Sequence, residues 1–131
     1  MNLSVEDRDA IAEYRIKKAN LTLSAIYKVR PLEVWGMIVS QMYFALYYSL
    51  SALLIHDGHV TYKPSEVKSQ IKQFYVKTGK LSKEDLFLFV QIATLRQDSD
   101  YHDFIDANKN DVDFFLPKVE ELVEKMASLI K

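Results

Sequence analysis

One short segment of the sequence collects an unusual set of reactive side chains. Residues 96–102 read Arg-Gln-Asp-Ser-Asp-Tyr-His and supply a guanidinium, two carboxylates, a phenol and an imidazole. A guanidinium can hold a phosphate through two parallel hydrogen bonds, and an imidazole can move a proton near neutral pH. Arg96 and His102 are therefore the candidate catalytic pair, and the chemistry that they suit is at a phosphate.

These two residues can act together only if the fold brings them together. Successive residues of an α-helix turn by about 100°, so Arg96 and His102 would lie about 120° apart on a straight helix. We expect either that the Asp98–Asp100 segment breaks or loosens the helix, or that a second subunit supplies half of the site. The alternative, which the residues alone favour, is structural: Arg96 pairs with a neighbouring aspartate and His102 caps the next helix.

Other familiar kinds of site have little support. The sequence contains no Gly-rich phosphate loop, no Gly-x-Ser-x-Gly motif and no cysteine. His56 and His59 lie three residues apart, but a third ligand is missing nearby and His-Asp-Gly-His is typical of a turn. We therefore predict neither a metal site nor a cofactor.

Length and composition are those of one globular domain over residues 1–131. Hydrophobic residues make up 49% of the chain and charged residues 27%, while three glycines and three prolines are too few for a fold rich in β-hairpins. The net charge of −1 gives no overall field that would attract nucleic acid. The absence of cysteine fits a reducing compartment, and we predict a cytoplasmic protein.

A stretch of 22 residues, Val34 to Ile55, carries no charge and is long enough to cross a bilayer. Serine, glutamine and tyrosine residues interrupt it, and no strong positive cluster flanks it. We interpret it as the buried central helix of a bundle and expect no membrane association. The charged N-terminus lacks the apolar core of a signal peptide.

Hydrophobic periodicity and capping signals predict an all-α protein, an antiparallel bundle of about five helices. Pro117 lies within the last apolar seam and should kink or restart that helix. The predicted helices run from Ser4 to Val29, from Leu32 to Asp57-Gly58, from Pro64 to Thr78-Gly79, from the cap Ser82 to Asp98–Asp100, and from near Asp103 onward.

The second predicted helix carries a polar stripe, formed by Ser40, Tyr43, Tyr47 and Ser51 at steps of three, four and four. This stripe could orient Arg96 or line a cleft; equally, its hydroxyl groups could bond to backbone carbonyls within the helix. Gly36 on the same helix would permit close approach of a neighbouring element.

Charge is distributed unevenly along the second half of the chain. Residues 63–83 contain six lysines against one glutamate, whereas residues 98–125 contain nine acids against three lysines. The simpler interpretation is two solvated helix faces. The alternative is a lysine-lined approach for phosphates, or an acidic surface for a basic partner.

Four segments, in the right order, resemble those of the HEPN domain, a small α-helical family. The resemblance as a whole extends from about Ala12 to Ala127, nearly the whole chain. Arg96–Tyr101 resembles the Arg-x-x-x-Asp-Tyr element of the single-domain bacterial and archaeal branch. The other three segments are Tyr14–Ala19, Tyr43–Leu54 and Val76–Leu81.

The resemblance implies a bundle that dimerises about a two-fold axis and, in many members, cleaves RNA without a metal. Such members carry an arginine, four to six residues, and then a histidine; five residues separate Arg96 from His102. An RNA 2′-hydroxyl would attack the adjacent phosphodiester while His102 moves the proton and Arg96 stabilises the developing charge. The residues expected to bind the substrate are Asp100, Tyr101, Ser40, Tyr43 and Tyr47.

Partners follow from the same resemblance. Small prokaryotic members often pair with a minimal nucleotidyltransferase in toxin–antitoxin modules, and in some of them that enzyme modifies a tyrosine just after the histidine; here Tyr101 precedes His102. The alternative function is a non-catalytic adaptor that dimerises and binds a nucleotidyltransferase, a nucleotide in the Arg96–Tyr101 cleft, or both. A purely structural bundle is the third possibility.

Overall fold

Five α-helices make up most of the computed structural model, which describes residues 3–60, 63–101 and 106–130, with Tyr101 described by its backbone alone. A 3-10 turn, Arg30–Leu32, joins the first two helices, and a π-helical segment, Lys72–Val76, extends the third. The described residues include no β-strand, so the predicted all-α class is confirmed. The helices are α1 Val5–Val29, α2 Trp35–His56, α3 Pro64–Ile71, α4 Lys83–Tyr101 and α5 Lys109–Ile130.

The first helix begins and ends where its capping signals predict. The Ser4 side chain accepts a hydrogen bond from the Asp7 backbone N–H at 3.0 Å, satisfying a donor that the helix itself leaves unpaired. Pro31 lies in the 3-10 turn, which ends at Glu33 with a left-handed φ of 57°. Because this turn uses residues 30–32, α2 begins at Trp35, three residues later than predicted.

Local signals also place the later boundaries. Gly58 takes a φ of 84° after α2, so the predicted left-handed end is confirmed. Ser82 and Asp85 form a reciprocal capping box before α4: each backbone N–H donates to the other's side chain, at 2.9 and 3.0 Å.

Two predictions about the C-terminal half were wrong. No break occurs at Asp98–Asp100, since α4 is continuous through Tyr101. Ser99 is one reason, because its hydroxyl bonds to residues beyond the helix end and leaves its own helix backbone intact. The last helix begins at Lys109 rather than near Asp103, a position outside the described residues.

Pro117 lies inside α5, and the helix continues through it. Of the two predicted effects of this proline, a kink or a restart of the helix, the restart does not occur. A proline here removes one backbone hydrogen bond, at a cost of roughly 3 kcal/mol. The helix carries six buried apolar residues, among them Leu116 and Val119 on either side of the proline, and their packing offsets that loss.

The central helix is α2, which packs against α1, α4 and α5. By length and mean hydropathy (1.5) it could cross a membrane, but 67% of its most apolar window is buried inside the protein, which is the pattern of a core helix. On α4 the buried residues are Leu88, Phe89 and Ile92. The sequence pattern predicts a core face of Leu86, Phe89, Val90 and Ala93; Phe89 is confirmed. The other three are only half-buried, because five consecutive apolar residues, 86–90, leave the helical period ambiguous.

Candidate functional site around Arg96

Arg96 lies near the C-terminal end of α4 and rests on two aromatic rings of α2. Its guanidinium carbon is 4.9 Å from the centre of the Tyr43 ring and 5.0 Å from that of Phe44. Both distances are within the roughly 6 Å range of a cation–π contact. The Arg96 side chain remains 31% exposed. The guanidinium of Arg96 therefore packs on the α2 rings on one side and is open to solvent on the other.

The ion pair of Arg96 with Asp100 is loose. Arg96 Nε and Asp100 Oδ2 are 3.6 Å apart, which is an ion pair but longer than a hydrogen bond. Among the described residues, none accepts a hydrogen bond from this buried Nε. The predicted structural alternative, in which Arg96 pairs with a neighbouring aspartate, is therefore observed, but only as a long ion pair. The guanidinium keeps hydrogen-bond donors for a ligand.

Tyr43 belongs to an aromatic cluster that extends along α2. Its ring stacks on Phe89 of α4 at 5.8 Å and on Tyr47 at 6.1 Å. Burial raises the pKa of Tyr43 above its ordinary value and outweighs the opposing effect of the Arg96 charge. Tyr43 therefore stays a neutral phenol, able to hydrogen-bond to a ligand but unsuited to act as a phenolate nucleophile.

The polar stripe of α2 does not act as one surface. Ser51 is 8% exposed, and its hydroxyl donates a hydrogen bond to the Tyr48 carbonyl at 2.9 Å. For this residue the predicted alternative, bonding to a backbone carbonyl within the helix, is confirmed. Ser40 is half-buried and makes no side-chain hydrogen bond within the described part of the chain. Tyr43 contacts Arg96 through its ring, and Tyr47 is linked to Arg96 only through Tyr43.

Phe44 is a site residue that the sequence reasoning missed. It lies beside the stripe rather than on it, and nothing in an uncharged run of apolar residues marks one phenylalanine as the support of an arginine in another helix. The only available signal was its position next to Tyr43.

Close packing fixes the end of α4 against the start of α2. A Cβ added to Gly36 would come within 3.0 Å of Ser99 Oγ, so the predicted close approach at this glycine is confirmed. Ser99 in turn donates to Asp106 at 3.1 Å and accepts from the Ala107 backbone at 3.4 Å. These contacts anchor both ends of the segment that contains His102.

The predicted partner of Arg96 in catalysis, His102, lies outside the described residues, and so does the side chain of Tyr101. The structure does bear on how the two catalytic candidates could meet. Because α4 is unbroken through Tyr101, the proposed break that would have turned them onto one face is absent. The contribution of a second subunit, the other route in the sequence-based hypothesis, stays a prediction.

A second polar cluster lies at the end of α2, away from Arg96. The His56 ring is 2.9 Å from Asp57, and Tyr75 donates a hydrogen bond of 2.6 Å to the same carboxylate. Burial alone would raise the pKa of Asp57, but the hydrogen bonds from Tyr75 and His56 outweigh it and lower the pKa below its ordinary value. His59 instead stacks on Phe74 at 3.8 Å, so the two histidines do not share a site. No group of three or more potential metal ligands occurs within the described ranges.

Comparison with known proteins identifies the family. A model of the HEPN domain matches residues 12–129. A UPF0332 protein of Thermotoga maritima is 27% identical over 127 residues, which cover 97% of this chain and 96% of that protein. A protein of Methanocaldococcus jannaschii that bears the name "putative toxin" is 30% identical over 107 residues, which cover 81% of this chain and 72% of that protein. The family match extends over far more than half of the sequence, and the chain therefore belongs to the HEPN domain family.

Proposed function

We propose that this protein is the toxin-type component of a prokaryotic toxin–antitoxin or defence module, and that it cleaves RNA in the cytoplasm. Membership of the HEPN family supports this proposal, as does the similarity to a relative that bears a toxin name. In this proposal the active form is a homodimer, a minimal nucleotidyltransferase is the partner, and the reaction requires no metal.

The observation that carries the proposal is the state of the Arg96 guanidinium. Two rings support it from α2, its side chain is 31% exposed, and its bond to Asp100 is too long to occupy its donors. An arginine preorganised in this way can bind the non-bridging oxygens of a phosphodiester and stabilise the charge that develops there.

The proposed reaction is an internal transfer at phosphorus. The 2′-oxygen of a ribose forms a bond to the adjacent phosphorus while the bond to the 5′-oxygen of the next nucleotide breaks. One imidazole removes the 2′-hydroxyl proton and one proton is delivered to the leaving 5′-oxygen, a task for His102. The products are a 2′,3′-cyclic phosphate and a 5′-hydroxyl end. In this proposal two copies of the chain combine Arg96 of one protomer with His102 of its partner.

The test is incubation of the pure protein with single-stranded RNA in EDTA. The wild type should cut the strand and leave cyclic phosphate ends, while Arg96→Ala and His102→Ala should lose most activity. Arg30→Ala is the matched control, because Arg30 has the same exposure (30%) and also pairs with an aspartate, Asp113. Equal cleavage by all four proteins, or cleavage by none, would remove the catalytic claim.

A second candidate function is the non-catalytic adaptor. The contact of Arg96 with Asp100, together with the net charge of −1, favours it, since both suit a nucleotide-binding or protein-binding role without turnover. This adaptor would form a stable complex with a nucleotidyltransferase encoded beside it and would leave RNA intact in EDTA. Gel filtration of the co-expressed pair, combined with the cleavage assay, separates the two candidates.

A further inference from the structure

A groove between α1 and α2 combines aromatic rings with two cations. Its volume is about 460 Å³. Tyr14, Arg15 and Lys18 line it from α1, at spacings that place them on one side of the helix. Tyr47, Tyr48 and Ser51 line it from α2. The sequence segment that contributes the α1 residues has no role in the chemistry proposed for Arg96.

Within the described ranges, no carboxylate pairs with the charges of this groove. Across the described residues, Arg30, Lys109 and Lys125 all pair with carboxylates, whereas neither Arg15 nor Lys18 does. None of the groove's lining residues is acidic. Two adjacent cations that pair with no carboxylate create a positive potential that favours the binding of an anion.

The positions of the two cations are fixed by contacts with α2. Arg15 donates one hydrogen bond of 3.2 Å to the Ser51 carbonyl, which leaves its other N–H groups available. The Lys18 ammonium lies 4.6 Å from the centre of the Tyr48 ring, a cation–π contact. Beside them, Tyr14 is 65% exposed, an unusual state for a large ring. A flat aromatic surface therefore stands next to an anion site.

Stacked rings of α2 link the groove to the Arg96 site. Tyr47 lines the groove and stacks on Tyr43, whose ring lies beneath the Arg96 guanidinium. These two distances, 6.1 and 4.9 Å, limit the separation of Tyr47 from Arg96 to about 11 Å, the length of roughly three stacked nucleotides at about 3.4 Å each. One strand could engage both places.

We infer that the α1–α2 groove binds a nucleotide unit, its base stacked on Tyr14 and its phosphate between Arg15 and Lys18. The inference rests on the proposed function in one respect: the nucleotide is taken to belong to the same single strand that Arg96 engages. Stacking on aromatic rings beside a positive groove is how proteins hold single strands without strong sequence preference. A free nucleotide offers the same chemistry and is the other source of such a ligand.

The experiment measures binding separately from cleavage. A fluorescein-labelled 12-nucleotide oligoadenylate is titrated by anisotropy in EDTA with the full chain carrying Arg96→Ala, so that the strand stays intact. Adding Arg15→Gln and Lys18→Gln together should lower the slope of log K against log salt by about 0.7, since one lost phosphate contact on a single strand contributes about 0.7. Lys17→Gln, the adjacent exposed lysine outside the groove, should leave the slope unchanged.

A second pair of variants tests the stacking of the base on an aromatic ring. Tyr14→Ala should weaken binding by about 5- to 150-fold, the usual loss for one base–aromatic stack. Tyr27→Ala, which removes another exposed tyrosine (52%) outside the groove, should have no effect. If Arg15→Gln impairs folding, as judged by circular dichroism, Lys18→Gln alone decides the question, with a smaller fall of the slope in the same direction.

The outcomes separate this inference from the proposed function. Unchanged affinity and salt slope in the groove variants overturn the inference, even if the wild type cleaves RNA, and so does the absence of binding to both oligoadenylate and AMP. Groove-dependent binding without any cleavage by the wild type supports the groove and removes the proposed function. Groove-dependent binding of AMP as tight as that of the oligonucleotide identifies a free nucleotide as the ligand, and binding of the oligonucleotide alone identifies the strand.

Discussion

The contact between Arg96 and Tyr43 should contribute a measurable coupling energy to folding. The guanidinium carbon is 4.9 Å from the ring centre, and the Arg96 side chain is 31% exposed. Cation–π contacts contribute about 0.5–1 kcal/mol at exposed sites and about 2 kcal/mol when desolvated, so a half-buried contact should give about 1 kcal/mol. The perturbation is the pair Arg96→Met and Tyr43→Leu, made singly and together.

Urea unfolding of the four proteins yields the coupling free energy as a double-mutant cycle. With a slope of about 2 kcal/mol per molar urea, a coupling of about 1 kcal/mol corresponds to roughly 0.5 M in the unfolding midpoint. Tyr43→Phe is the control, because it keeps the ring and removes only the hydroxyl. Because the ring contact is the same with either side chain, the cycle of Tyr43→Phe with Arg96→Met should give a coupling energy near zero.

Two results would refute this reasoning. A coupling energy below about 0.3 kcal/mol, within the usual scatter of additive sites, would mean that the ring does not hold the guanidinium. If the cycle of Tyr43→Phe with Arg96→Met gave the full coupling energy of the Tyr43→Leu cycle, the hydroxyl group would carry the interaction. In that case the sequence-based idea of a hydroxyl stripe acting on Arg96 would replace the ring contact.

Two further predictions concern the packing that positions the site. Tyr75→Phe should lower the free energy of unfolding by about 1–2 kcal/mol at pH 7, through the lost hydrogen bond to a carboxylate. The pKa of Asp57 is lowered in the folded state, so this contribution is present above the unfolded pKa of about 3.9 and is lost as the pH falls through the folded pKa. Urea unfolding should therefore show a smaller loss of stability from Tyr75→Phe at pH 3 than at pH 7. An equal loss at both pH values would contradict this reasoning. Gly36→Ala should destabilise the protein by about 1 kcal/mol through its contact with Ser99. In a Ser99→Ala background the same change should become neutral or stabilising, since alanine favours helix over glycine by about 1 kcal/mol; an equal effect in both backgrounds would contradict the contact.

The fold was predictable where its signals are local. Ser4, Gly58 and the Ser82–Asp85 pair act through bonds within a few residues, and each behaves in the structure as its sequence pattern indicates. The continuity of α4 was not predictable, because it depends on Ser99 bonding to residues seven and eight positions later. A segment that is typical of a loop can stay helical when a tertiary contact occupies its polar side chain.

The candidate site was predictable in its residue types but not in its geometry. Arg96 could be singled out from its neighbours in sequence, and so could Tyr43 from its place on the stripe. Their contact joins α2 to α4, and no periodicity within one helix can report which side chains meet between two helices. The same limit applies to Phe44 and to the groove cations Arg15 and Lys18, whose importance depends on what the partner helix presents to them.

The most direct test of the central claim compares Arg96→Lys with Arg30→Lys in the cleavage of single-stranded RNA in EDTA. Lysine keeps the positive charge but lacks the planar fork that binds two phosphate oxygens at once. The initial rate should fall at least about 100-fold for Arg96→Lys, the usual loss when one preorganised donor to a developing charge is removed, and should stay at the wild-type level for Arg30→Lys. Equal rates for the two variants would show that Arg96 takes no part in the reaction.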